Sequence, residues 1–170
     1  ATAVAILWLI GPMVNILIKF FTGSYIDFRS KKKIMMQTYI LRGILIMFIP
    51  FAPNVVVIYI LLIFLSVANA FFVPSSITYT TILVPIDMRK RFNSIRSFTS
   101  SLAFIIGPSI GGTLILLTTV DLTLWINGIF FIGSALLLSL LPSKEAIDKN
   151  SIPAMNLAQL KLDFSVVVQF

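Results

Sequence analysis

The chain contains no cysteine and no histidine among its 170 residues, and only 6 acidic side chains. Without cysteine it has neither disulfides nor thiolate metal sites. Without histidine it lacks the commonest general base and the usual zinc ligand. Charge of either sign is scarce, at 11% of residues, too little to cover the surface of a water-soluble domain of this size. The apolar and polar alternation over segments of about 10 residues that marks a transmembrane barrel does not organise the chain either. These absences argue against soluble enzyme chemistry, and no catalytic residue, metal site or cofactor is expected.

What is present is apolar: 58% hydrophobic residues and a mean hydropathy of +1.03. Apolar runs of roughly 19 or more residues, broken by short polar segments, predict membrane helices, because a backbone in water-free lipid must satisfy its own hydrogen bonds. Five spans are read, at residues 1–21, 34–52, 54–81, 98–119 and 122–141. The expected fold class is an all-α membrane protein with the lipid bilayer as a partner. The chain opens "ATA" inside an apolar run, without Met or a charged leader, a poor signal peptide and the look of a chain whose start lies upstream.

The net charge of +7 is not spread evenly. Basic residues flank the first connection (Lys19, Arg29, Lys31, Lys32, Lys33), fill the third (Arg89, Lys90, Arg91, Arg96) and recur in the tail. The second connection, "PFAPN", is uncharged and the fourth holds only Asp121. The positive-inside rule then places residues 22–33, 85–96 and 142–170 in the cytoplasm. Cations divided among loops in this way form no single surface for nucleic acid, so no nucleic-acid partner is expected. The third span exceeds membrane length and contains Pro74 before "SSITYTT", which predicts a kinked helix. The tail's "LKLDFSVVVQF" fits a strand or a helical stripe; with no sheet to join, an amphipathic helix on the membrane surface is preferred.

Two motifs stand out. "GSYIDFRSKKK" at residues 23–33 holds Gly23, Asp27 and the Lys31–Lys32 pair. "AFIIGPSIGG" at residues 103–112 holds Ala103, Gly107, Pro108, Gly111 and Gly112. Gly23 lets helices approach closely. Asp27 at a helix end can accept backbone N–H bonds or pair with a cation, Arg29 being near in sequence. Pro108 removes a helix hydrogen bond, and the three glycines give a flat face about one turn long on which a bent helix can rock. Read blandly, the first motif is a solvated orientation loop and the second a packing face. "GPMVN" at residues 11–15 faintly repeats the Gly-Pro of the second motif in a span of opposite direction, as inverted transporter repeats do.

Together the motifs resemble the major facilitator superfamily. The first is similar to its G-x-x-x-D-R-x-G-R-R loop between helices 2 and 3. The second is similar to its helix 5 antiporter motif, G-x-x-x-G-P-x-x-G-G, at the matching spacing. "ANAFFVPSSITYTTILVPIDMRKRFNSIRS" and Asn127 in "LWINGIFFIGSALLLSLLP" look like the macrolide-efflux and siderophore-exporter branch. The resemblance implies that residues 1–141 are helices 2 to 6 of twelve, within the N-terminal six-helix half. Residues 142–170 would begin the cytoplasmic central linker, with helix 1 and the C-terminal half as missing partners. The departures are Phe28 in place of the motif Arg, Ser30 in place of its second Gly, and Ala103 in place of the first Gly of the helix 5 motif.

Two cations lie deep. Arg42 is about 13 Å beyond Lys33 by helical rise, and Lys19 is at similar depth in the neighbouring span. Intramembrane charge is costly and often functional, although long side chains can also snorkel to the interface. Arg42 could bind an anionic substrate group or neutralise a carboxylate of helix 1. Asn15, Gln37, Asn69 and Asn127 could line a cavity or serve as helix–helix hydrogen-bond partners. The resemblance implies a secondary active exporter of drugs or other small amphipathic molecules in a bacterial plasma membrane. Protons are the expected coupling ion, and Gly23, Asp27, Arg29, Lys31 and Lys32 would act as a conformational gate. The alternative is a non-transporting scaffold or regulatory half-transporter.

Overall fold

In the computed structural model, residues 11–14, 18, 22, 25, 26 and 29–143 are described. Four long helices follow one another: α1 (Lys31–Phe48), α2 (Val55–Leu83), α3 (Arg89–Leu117) and α4 (Val120–Ser139). Short 3-10 turns, Ile49–Phe51 and Ile86–Met88, extend α1 and precede α3. All four helices are long and apolar enough to cross a membrane. The described residues contain no strand. This is an all-α membrane protein.

Local chemistry sets the helix ends. Ser30, Asn54 and Thr119 are N-caps: their side-chain oxygens accept from the backbone N–H of Lys33, Val57 and Leu122 at 3.3, 3.0 and 3.2 Å. Each satisfies one of the donors that a helix start leaves without an intrahelical partner. At the other end of α2, Val84 precedes Pro85 and is extended (φ −90, ψ 121). The proline ring disfavours the helical region for the residue before it, so α2 stops there. Pro74 and Pro108, by contrast, lie inside α2 and α3, which continue on both sides of them.

One boundary differs from the expectation. The fourth span was expected from residue 98, with Arg89, Lys90, Arg91 and Arg96 in a connection, yet these residues form the first turns of α3. Nothing between Pro85 and Pro108 breaks a helix, and Arg, Lys and Ser are tolerated in one. The polarity change falls inside the helix and does not mark its edge. The other three spans match α1, α2 and α4 within about three residues, the usual scatter of helix boundaries. Of the first span, residues 11–14 and 18 are helical; its remainder and the amphipathic segment expected beyond residue 143 lie outside the described residues.

Helix α1 packs against both α2 and α4. A small core of Met35, Tyr79 and Leu138 sits where α1 begins and α2 and α4 end, with Met36, Tyr39, Phe72 and Leu83 against it. Helix α3 touches α4 lightly and has no buried residue. Side chains such as Phe104 and Leu116 on α3 stand 84% and 86% exposed, an apolar surface suited to lipid or to other helices and not to water.

Candidate functional site

The arrangement is built from two i,i+3 pairs. Tyr39 and Arg42 share a face of α1, and Asn69 and Phe72 share a face of α2. Packing of α1 on α2 brings the faces together. Arg42 Nη2 donates to Asn69 Oδ1 at 2.6 Å. The guanidinium carbon lies 4.9 Å from the centre of the Phe72 ring and 5.9 Å from that of Phe131 on α4. Tyr39 closes the aromatic group, its ring 4.7 Å from Phe72 and 6.0 Å from Phe131. A half-buried cation at mid-helix is thus met by a charge-assisted hydrogen bond and two ring faces, and among the described residues by no carboxylate.

Phe131 reaches Arg42 because α1 and α4 approach closely one residue away. Gly43 and Gly128 are both buried, and a Cβ on either would lie 2.9 Å from the carbonyl oxygen of the other. Only residues without side chains allow backbones so near. Asn127, next to Gly128, is exposed and is not brought to Arg42.

At the helix ends, cations meet carbonyls. Lys32 Nζ donates to the Ser139 carbonyl at 2.8 Å and also to that of Leu141, beyond the last turn of α4. Tyr79 Oη donates to the Pro142 carbonyl at 3.0 Å. Arg89 caps α2, its Nη2 donating to the Thr81 carbonyl at 2.8 Å and its Nε to that of Val84 at 3.3 Å. Positive side chains at C-termini satisfy unpaired carbonyls and oppose the negative end of the helix dipole. Lys31 opens α1, and Arg29 stacks 4.4 Å over Tyr25. Gly23, Asp27, Asn15 and Lys19 lie outside the described residues.

The second motif is displayed on α3. A Cβ added at Gly107, Gly111 or Gly112 would meet nothing within 4 Å, and Ala103 and Pro108 are exposed. Among the described residues no helix covers this face.

A family model described as the Major Facilitator Superfamily matches residues 1–167. The chain belongs to the Major Facilitator Superfamily. Its curated relatives include the "Putative bacilysin exporter BacE" of Bacillus subtilis strain 168, 29% identical over 122 residues, and its counterpart in Bacillus amyloliquefaciens, 27% identical over the same length. The aligned stretch is 70% of this chain and 30% of each relative, so the chain spans about a third of the proteins it matches. No solved structure matches.

The four helices are thus part of a Major Facilitator Superfamily fold. Within it, sequence reasoning passed over Tyr39, Phe72, Phe131, Tyr79, Gly43 and Gly128. A signal existed for some of them. Tyr39-x-x-Arg42 and Asn69-x-x-Phe72 each place an aromatic one turn from a polar group, and Gly43 and Gly128 are single glycines inside helical runs, a pattern that indicates close packing. For Tyr79 the sequence carried none, since its acceptor lies 63 residues away.

Proposed function

We propose that the chain is part of the N-terminal half of a secondary active exporter that moves small amphipathic molecules out of a bacterial cell, coupled to proton entry. The match to curated relatives named as exporters, inside a transporter superfamily, carries this reading. Residues 1–141 are then helices 2 to 6, and residues 142–170 begin the linker to the second half. The basic ends of α1 and α3 face the cytoplasm, as the positive-inside rule requires.

On this reading Arg42 and Asn69 belong to the polar lining that a substrate or a coupling group meets at mid-membrane. The aromatic rings of Tyr39, Phe72 and Phe131 favour a ligand with an apolar body and a polar head, as substrate pockets generally do. Asn15 and Lys19 are further candidates, as is Asn127 on α4. Gly23, Asp27 and Arg29, together with Lys31 and Lys32 at the start of α1, close the cytoplasmic side in one conformation and release it in the other. Ala103, Gly107, Pro108, Gly111 and Gly112 let α3 rock as the two halves move.

The test is reconstitution of the intact protein into proteoliposomes with an imposed pH gradient and a panel of cationic, zwitterionic and anionic amphipaths. Gradient-dependent movement of at least one class, abolished by a protonophore, is expected. Movement that ignores the gradient removes proton coupling. No movement of any class removes the exporter reading in favour of a scaffold.

A further inference from the structure

At 1.5 Å per residue, the 29 residues of α3 make a rod of about 43 Å, longer than the roughly 30 Å hydrocarbon layer. About nine residues are in excess, and the charged residues of α3 are all at its start: Arg89, Lys90, Arg91 and Arg96, with Asn93, Ser94 and Ser97 among them. At 3.6 residues per turn, successive side chains are about 100° apart. Arg91, Ile95, Phe98, Leu102 and Ile105 then form one stripe. Ala103, Gly107 and Gly111 form another, whose centre is about 160° away.

The two stripes suit different neighbours. Small residues let another helix approach, whereas large apolar ones suit acyl chains. Ile95, Phe98 and Ile105 are 57%, 65% and 69% exposed. Arg91 stands at the head of this large apolar stripe, and among the described residues no acidic side chain lies on the stripe. Lys90 lies beside it, with the Ser94 hydroxyl donating to its carbonyl at 3.0 Å. Arg89 is turned away onto the end of α2. Among the described residues this end of the bundle carries Lys31, Lys32, Lys33, Arg89, Lys90, Arg91 and Arg96 against Asp87 alone.

We propose that Lys90 and Arg91 hold the phosphate of an anionic phospholipid, whose acyl chains lie along Ile95, Phe98 and Leu102. From Arg91 to Leu102 is about 16 Å of helix, comparable with the depth of one leaflet. Arginine offers a planar fork of donors to phosphate and lysine a point charge. The site does not depend on what the protein transports, and it assigns the large-residue face of α3 to lipid.

The experiment uses the intact protein with a single bimane-labelled cysteine at Ser94, in vesicles of phosphatidylcholine containing either acyl-brominated phosphatidylglycerol or acyl-brominated phosphatidylcholine at equal mole fraction. Quenching should favour the anionic lipid by about fivefold per cation. Lys90→Gln with Arg91→Gln should bring the two lipids level, while quenching by phosphatidylcholine stays unchanged and shows that the variant is folded. Equal quenching by both lipids in the parent overturns the proposal. So does a preference that survives in the variant, or no quenching at all, which would mean that protein covers the stripe. Millimolar inorganic phosphate that erases the preference would also overturn it, pointing to a free-anion site.

Discussion

Gly43 and Gly128 sit back to back across the α1–α4 contact, each leaving room for the other's carbonyl oxygen and no room for a methyl group. Gly43→Ala should therefore push the helices apart. Overpacking a tight contact costs about 1–3 kcal/mol. In detergent, the intact variant should melt several degrees lower than the parent, and Gly128→Ala should do the same. Gly133→Ala on α4, with open space where its Cβ would go, serves as the comparison within the described helices. Equal melting of all three would show that the backbone contact adjusts freely.

Arg42 tests whether the mid-membrane cation serves transport. A hydrogen bond to a charged group contributes about 1.5–3 kcal/mol. If that bond orients Arg42 for a ligand, Asn69→Leu should slow transport about tenfold or more at equal expression. Arg42→Lys keeps the charge but loses the planar fork and most of the ring stacking, and should be similarly impaired. Full transport by both variants would make the pair a packing contact.

The helices could be counted from the sequence, because a hydrocarbon layer of about 30 Å demands a minimum apolar length and because Asn54 and Thr119 announce helix starts at conventional cap positions. The start of α3 could not be read. Hydropathy sees where lipid ends, and Arg89 to Ser97 continue the helix beyond that point. Arg42 could be singled out by its depth, whereas its partners Asn69, Phe72 and Phe131 depend on how α1, α2 and α4 are rotated about their own axes. That rotation is fixed by contacts such as the Gly43–Gly128 crossing, between residues far apart in the chain.

Lys32 and Tyr79 should hold the end of α4. Lys32→Met keeps the apolar stem and removes the donor; Tyr79→Phe removes only a hydroxyl. Each loss should cost roughly 0.5–1.5 kcal/mol locally. Amide exchange across residues 136–143 should speed up several-fold in each variant and more in the double, with the start of α2 unaffected. Unchanged exchange would show that the end of α4 is held by packing of Leu138 alone.

Pro108 denies α3 one backbone donor. Pro108→Ala restores it and should raise the thermal stability of the intact protein slightly while slowing turnover, if bending of this helix accompanies transport. Equal turnover at equal expression would reduce the proline to a packing feature.

Asp27 bears on the gate. Acidic residues contribute little to membrane orientation, so Asp27→Asn should insert normally. A conformation-specific interaction of about 1.4 kcal/mol would shift the inward/outward ratio tenfold when lost. Cysteine accessibility at Asn15 and Asn69 should then change between the parent and the variant, with reduced transport. Identical accessibility and undiminished transport would leave the loop as an orientation signal.

The capping of α4 by Lys32 and of α2 by Arg89 has a bearing on topology engineering. Inverting a membrane protein is usually attempted by moving lysines and arginines from one set of loops to the other. Here two such residues are bonded to the ends of helices that run toward the same face. Deleting them would alter the orientation signal and uncap two helices at once, so an inverted variant would fail for reasons that charge counting alone does not foresee.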